Sequence, residues 1–503
     1  MKMTWSGDLL GRGRRRLAGG SARRRVMVVV AAGAAVVCAG LLTGAGVAPA
    51  AAVRAAAAGV RWGKAEPVPG LAALNKGGNA RVTSLSCWSV NNCAAAGYYT
   101  DRRGHSQAFV VAERNGRWDR AVQVPGTAAL DAGRNAGVVS VSCARDGYCV
   151  AGGYYTDGGG HTQAFVVTRP KDRWRAAVEV PGSAALNTSG NAQVNSVSCP
   201  AAGECAAGGF YVGAGGALGF VVSQANGVWG TAEEVPGLAA LNTGGAGVNS
   251  VSCGSAGNCA AGGLPDTYPY GGGPQAFVAS EENGVWGTAE EVPGLAALNV
   301  GDSAGVASVS CARDGYCALG GTYTPYQYAY VTPFVASGSN GVWGTAATWG
   351  FGGGEEGIPS FTTSVSCPSA GSCVALGYTI PGAYWQPFVA SQKNGAWGAA
   401  KYLPGVFAEG VPTSLSCASA GNCGAGGYNL PRAYPGGSRT RPFVASETKG
   451  RWANAELYPG TLALNKGRRG QVTSVSCPSA GHCTAAGFYT DAKKHQQAFV
   501  GGP

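Results

Sequence analysis

Ser364–Tyr378 reads SVSCPSAGSCVALGY: two cysteines with five residues between them, a glycine among the five, and small residues after the pair. The run before Cys367 alternates, as a half-buried strand does. Gly371 adopts the positive φ of a tight turn freely. The stretch therefore predicts a β-hairpin whose strands bring the two cysteines opposite each other. Opposed Cα atoms in an antiparallel pair lie about 4.5–5.5 Å apart, within reach of a disulfide.

Seven near copies occur. The pairs are Cys87 with Cys93, Cys143 with Cys149, Cys199 with Cys205, Cys253 with Cys259, Cys311 with Cys317, Cys367 with Cys373, Cys417 with Cys423 and Cys477 with Cys483. The turn position holds Gly147, Gly203, Gly257, Gly315, Gly371, Gly421 or Gly481, and Asn91 in the first copy. Asn tolerates positive φ best after Gly. These pairs use sixteen of seventeen cysteines, and an even set in an exported chain reads as disulfides. Zinc fits poorly, because the chain has only four His and no C-x-x-C.

Alignment on W-x-x-A gives eight units, starting at Trp62, Trp118, Trp174, Trp229, Trp286, Trp343, Trp397 and Trp452. A period of roughly 50–60 residues means a solenoid, a propeller or an array. Each hairpin is followed by a third strand such as QAFVVA at Gln107–Ala112, with variants at Gln163, Gln275, Pro333, Pro387 and Pro442. Asn-Gly turns follow at Asn115, Asn226, Asn283, Asn340 and Asn394, the strongest short hairpin signal. A last strand then runs from the Trp to VPG. Many glycines (85) and no helix signal complete an all-β reading.

Four antiparallel strands per unit and radial repetition predict an eight-bladed β-propeller with one intra-hairpin disulfide per blade. The last unit stops at QQAFVGGP, without a Trp strand of its own, while GVRWGKAEPVPG near the start is a Trp strand with no hairpin before it. If the first completes the last, the ring closes and no sheet edge stays open. The chain is expected to be a monomer.

The motif S-V-S-C-P-S-A-G-x-C-x-A-x-G with a following NG-x-W resembles the repeats of exported actinobacterial β-propeller-type proteins, mostly of unassigned function. The resemblance covers about residues 60–503. It implies the fold and export and carries over no catalytic residue. The sialidase Asp-box, S-x-D-x-G-x-x-W, is not matched.

Residues 1–52 read as a signal peptide: a basic stretch with GRGRRR, the apolar run VMVVVAAGAAVVCAGLL, and small residues ending APAAA. An uncleaved anchor is the rival, and would be the only link to a membrane. Residues 53–503 are then a single propeller, placed outside the cell. The leader holds eight Lys and Arg and one Asp, so the formal +11 falls to +4 for the remainder. So mild a charge argues against a nucleic-acid partner.

Two sets of longer connections are expected on one face, the VPGLAALNxGG and YYTDxxGHxQ segments. The opposite face holds the cysteine hairpins and Asn-Gly turns, too short to build a pocket. On the longer-loop face, D-x-x-x-H recurs as Asp101 with His105, Asp157 with His161 and Asp491 with His495, which ring closure puts on consecutive blades. Such loops would take a divalent metal, the one cofactor the sequence suggests, or carry acid–base chemistry. The Asn of A-L-N recurs at Asn75, Asn187, Asn242, Asn299 and Asn465, with Asp131 once. It would bond sugar hydroxyls or cap a turn.

Units six and seven break the pattern with TWGFGGGEEGIPSF and YLPGVFAEGVPTS, placing Glu355, Glu356 and Glu409 near Trp349 and Trp385. Aromatics beside carboxylates suit sugars, and a carboxylate pair at the right separation hydrolyses glycosides. Common hydrolase and nucleotide motifs are missing. The leading expectation is a secreted module that binds a glycan or cell-wall polymer. The alternative is a polysaccharide hydrolase or lyase using Glu355, Glu356 and Glu409, and a third reading is a passive surface scaffold.

Overall fold

The computed structural model describes residues 60–502 apart from 242–244, 266–274, 302, 326–329, 350–356, 383, 406–408 and 431–438. The segment 1–52, expected as a leader, lies outside the described residues, as do Asn242, Glu355 and Glu356. The chain folds as the expected eight-bladed propeller. In blade 1, Ala80–Ser89, Asn92–Thr100 and Ser106–Arg114 form three antiparallel strands running outward from the centre of the ring. Blades 2 to 7 repeat this sheet from Gly137, Gln193, Ala246, Ala304, Ser360 and Gly410, and blade 8 from Gly470.

Two local features differ from expectation. The outer strand is broken into two short pieces, as in Arg117–Trp118 and Val122–Gln123, which pair with different parts of the third strand. The W-G-T-A step between the pieces kinks the chain yet still returns an N–H, as from Gly230 to Ser223 C=O at 2.9 Å. Five of the described connections also contain a single helical turn, such as Leu71–Leu74 and Thr461–Leu464. Gly70 at φ 78° swings the chain over, and the Ala-Leu pair that follows favours the turn.

The ring closes as predicted. Ala65, Glu66 and Pro67 pair with Gly501, Val500 and Phe499, making the outer strand of blade 8. Arg61 and Trp62 run parallel to His482 and Cys483. Trp62 Nε1 donates to Ser446 Oγ of blade 7 at 2.8 Å.

All eight expected disulfides form: Cys87 to Cys93, Cys143 to Cys149, Cys199 to Cys205, Cys253 to Cys259, Cys311 to Cys317, Cys367 to Cys373, Cys417 to Cys423 and Cys477 to Cys483. Their Cα atoms are 3.9–4.2 Å apart. This is closer than a generic strand pair, because the hairpin narrows beside its turn. The bridges are not surface staples at the hairpin tips. Cys93, Cys149, Cys205, Cys259, Cys373, Cys423 and Cys483 are buried, and only Cys317 among the second cysteines is half-buried. Each second cysteine starts the middle strand of its blade, so its sulfur packs into the layer between blades, as Cys93 does beside Leu85 and Trp118. These residues therefore serve the core.

The rest of the core is layered between blades in the same way. One phenylalanine of each third strand (Phe109, Phe165, Phe220, Phe277, Phe334, Phe388, Phe443, Phe499) is fully or almost fully buried, where a large ring contributes most.

The serines of S-x-S-C join the blades. At every seam the N–H of the first cysteine donates to the second serine of the preceding blade at 2.9–3.0 Å, from Cys143 to Ser86 and, across the closure, from Cys87 to Ser476. At seven seams the first serine accepts in the same way, as Ser84 does from Val141 at 3.0 Å. A β-bulge precedes the serines in all eight inner strands. It presses a carbonyl against the facing strand, so that a Cβ on Gly97 would strike Arg81 O, and the equivalent holds in every blade.

Replacing Ser84 and Ser86 together by Ala leaves the Val141 and Cys143 amides without partners. We expect a loss of about 1–3 kcal/mol of stability, read as a lower guanidinium midpoint under non-reducing conditions.

Candidate functional site

The outer-to-inner and second-to-third-strand connections do share one face and are bonded to each other. Gly77 N–H meets Thr100 C=O at 2.9 Å, and Gln496 N–H meets Gly78 C=O at 2.8 Å. The cysteine hairpins share the other face with the Asn-Gly turns, as Gly116 N–H to Asn91 C=O at 2.8 Å shows.

Each expected Asp–His pair forms within its own loop. His105 Nδ1 lies 3.2 Å from Asp101, His161 3.4 Å from Asp157 and His495 3.8 Å from Asp491. Each aspartate also accepts two backbone N–H bonds of its loop, Asp101 from Arg103 at 2.7 Å and His105 at 3.0 Å. Burial raises Asp101, but these donors and the His105 ring outweigh it and hold the carboxyl below its usual range. The Gln163 amide leads the same lowering at Asp157. At Asp491 burial again opposes it, and the His495 N–H, Gln497 and the Lys493 N–H prevail. Among the described residues no third His, Cys, Asp or Glu donor joins any pair within 4.8 Å. The one triple grouping is Cys253, Cys259 and Glu281, whose sulfurs share a disulfide.

The A-L-N asparagine is a staple between blades. Asn75 is buried, donates to Gln496 C=O and Gln497 Oε1 at 3.0 Å in blade 8, and accepts from Asn79 N–H at 2.9 Å and Thr100 N–H at 3.3 Å. Asn187, Asn299 and Asn465 repeat parts of the pattern. The glutamine of QAF ties the two motifs together: Gln163 donates to Asp157 at 3.0 Å and accepts from Asn187 at 2.9 Å. Where Asp131 replaces the Asn and has no proton to donate, Gln107 turns its amide toward Asp131 at 3.4 Å. With both ends of its amide engaged, Asn75 faces the seam and not a ligand.

Trp349 is also internal. It stands where other units carry the core valine of VPG, is 8% exposed, and meets Phe388 and Trp397 edge-on at 5.9 Å. Its place in the alignment is the signal that the neighbouring carboxylates obscured. Trp385 is different. It is half-buried on the longer-loop face, 6.1 Å from Tyr378, which stacks on Phe361 at 4.9 Å and 20°. The three rings form a ladder at the edge of blade 6. Gly410 N–H donates to Trp385 C=O at 2.6 Å, and half-buried Glu409 precedes Gly410 in the chain.

The cysteine face does carry a hollow, contrary to expectation. It measures about 500 Å³ between blades 4 and 5 and is lined by Ser280, Glu281, Arg313, Asn340 and Trp343 among others. It opens where Gly338 faces Cys317; the equivalent residues Glu113, Arg169, Gln224 and Glu281 bring side chains to that place. Glu113, Glu281 and Glu447 are at most 3% exposed. Burial pushes Glu113 up to about 7, helped by nearby Glu66. Glu281 and Glu447 are raised for the same first reason.

The eight disulfides suggest an oxidising, extracellular environment. Among the described residues no helix is long and apolar enough to cross a membrane. No protein-family model matches the chain, and no curated protein matches it. Solved structures with a similar outline include Chaetomium thermophilum Sqt1 bound to the N-terminus of ribosomal protein L10 (11% identity, 86% of this chain and 98% of that one, TM-score 0.49). Others are a PL25 ulvan lyase (9%, 88% and 94%, 0.42) and the propeller domain of the Pyrococcus furiosus Trilobed protease (7%, 76% and 97%, 0.41). Similarity this low carries no inference about ligands.

The raised carboxyls give stability a direction with pH. A folded-state value above the unfolded one means that the native state holds more protons in between, so stability falls as pH rises from about 4.5 to about 7. We expect the melting temperature to drop across that window, and Glu113→Gln to flatten the drop.

Proposed function

We propose that the protein is an exported binding module that recognises a glycan or cell-wall polymer through the longer-loop face of its propeller. The observation that carries this reading is the Phe361–Tyr378–Trp385 ladder, with Glu409 one residue from the backbone bond of Gly410 to Trp385. Flat aromatic faces take the C–H faces of sugar rings, and an adjacent carboxylate accepts hydroxyl bonds. The ladder is peculiar to blade 6. Where Phe361 stands, other inner strands carry Arg81, Gly137, Gln193, Gly247, Gly305, Val411 or Gln471. Ser106, Thr162, Thr440 and Gln496 take the place of Trp385 in other blades. A rigid ring carrying one distinctive edge and several similar loops suits a long polymer, along which weak contacts add. The disulfides and the leader-like first 52 residues support a place outside the cell.

A glycan array with the full chain, followed by calorimetry on the best ligand, tests the reading. Trp385→Ala should weaken binding at least about tenfold, as loss of a central aromatic anchor does, and Glu409→Gln by less. No glycan binding, or binding indifferent to Trp385→Ala, would reject it. Ligand cleavage abolished by Glu409→Gln would turn the module into an enzyme.

A further inference from the structure

The small net charge conceals a segregation around the ring. Residues 176–312, which span blades 3 and 4, contain ten Asp and Glu and no Lys or Arg. Residues 53–175 hold sixteen Lys and Arg against eight acids, and residues 401–503 hold eleven against four. Closure makes these two basic stretches neighbours, since residues 65–67 pair with 499–501. Blades 7, 8, 1 and 2 therefore form one cationic arc opposite an anionic one. The mild total charge weighed above against a nucleic-acid partner averages over this uneven placement.

Nine of the arc's cations stand on the longer-loop face. Lys76 sits in the connection bonded to both Thr100 and Gln496, between Arg102 and Arg103 of blade 1 and Lys493 and Lys494 of blade 8. Arg134 extends the row toward blade 2, in the connection where Gly133 N–H meets Thr156 C=O at 2.8 Å. Lys466, Arg468 and Arg469 extend it toward blade 7, where Gly467 N–H meets Thr490 C=O at 2.7 Å. All nine are exposed. The acids of these loops are engaged internally: Asp101 and Asp491 with their own loop N–H groups, Asp131 in the buried staple.

Backbone conformation adds an independent sign. Arg134 (φ 61°) and Arg468 (φ 66°) occupy the left-handed position that Gly78 and Gly190 fill in the equivalent connections. Lys494 (φ 68°) does so where blades 1 and 2 have Gly104 and Gly160. Long side chains are disfavoured there, yet on this face of the arc three such positions carry cations; a fourth, Lys449 (φ 51°), lies on the opposite face.

We propose that the longer-loop arc over blades 7, 8, 1 and 2 binds an anionic polysaccharide, its carboxylates or sulfates pairing with this row. The row follows a curved rim, as an extended chain would, and repeated charges on such a chain meet repeated cations with little demand for a fixed register. Among the described residues no exposed aromatic stands between these arginines and lysines, which favours an acidic sugar polymer over single-stranded nucleic acid, whose bases need stacking platforms. The inference rests on the reading above that this face holds a polymer, and it names the polymer's class.

The test uses the full disulfide-bonded chain with polygalacturonate, its neutral methyl ester, dextran sulfate and dextran. Binding of both acidic polymers, little of either neutral one, and steep weakening from about 0.05 to about 0.5 M salt are expected. Changing Arg102, Arg103, Lys493 and Lys494 together to Gln should cost at least tenfold. Changing Arg117, Arg145, Lys171 and Arg173 to Gln removes as much charge from the opposite face and should cost less than twofold. Arg134→Gly, Arg468→Gly and Lys494→Gly together should raise the unfolding midpoint while lowering affinity. Equal losses from the two faces, unchanged affinity in the glycine variant, neutral polymers binding as well as acidic ones, or displacement by single-stranded DNA in preference to polysaccharide would overturn the proposal. Neutral glycans held through Trp385 without any acidic-polymer binding would sink this inference and leave the proposed function standing.

Discussion

The molecule depends on a hydrogen bond that joins strands without forming a ladder. An inner strand of a propeller pairs on one side only, and its other edge faces the next blade. Backbone amides left there would be buried without partners, which is costly. In this chain a serine hydroxyl from the preceding blade takes the amide of each first cysteine, all the way round. The residue that receives this bond is also the residue that is cross-linked. Seam and hairpin are thus fixed at one point, and the motif S-x-S-C is the sequence form of that coincidence. The bulge before it, and the glycine that makes room for the bulge, complete the unit.

With so much of each repeat committed to the seams, specificity has to reside where the repeats differ. The Asp–Gln–Asn networks on the longer-loop face are seam chemistry too: they bind one blade to the next and leave little free to greet a ligand. What remains variable is the ladder of blade 6 and the charges at the loop tips. A stiff ring with identical joints can carry an uneven surface because changing a tip disturbs no joint.

The architecture was readable because repetition multiplied weak signals. One alternating run is ambiguous, whereas eight, each with a turn glycine or asparagine and a cysteine pair, leave few arrangements, and the complementary end segments pointed to closure. Pairing of Cys93 or Cys373 was legible from spacing, but their burial was not, because it comes from the neighbouring blade. The site was harder to read. Asn75 looked like a sugar-facing amide because its neighbours in sequence are loop residues; its partners, Gln496 and Gln497, are more than 400 positions away. Trp349 looked like a binding aromatic because of the glutamates after it, although its register with the valines of VPG marks it as core. The ladder joins three strands of one sheet, and only cross-strand register brings Phe361 onto Tyr378. The charge arc was visible in composition by segment but hidden in the sum.

The borrowed outer strand has a consequence for the order of events during synthesis. Residues 61–67 leave the ribosome more than 400 residues ahead of the segment they pair with, 496–501. Through that interval the short strand has no home in its own molecule. The other blades need no residue of this segment, so closing the ring can follow their folding. A chain waiting at that step presents an open edge to any sibling in the same state. Concentration during maturation, more than the strength of any blade, then decides between a closed ring and a strand exchanged between two copies.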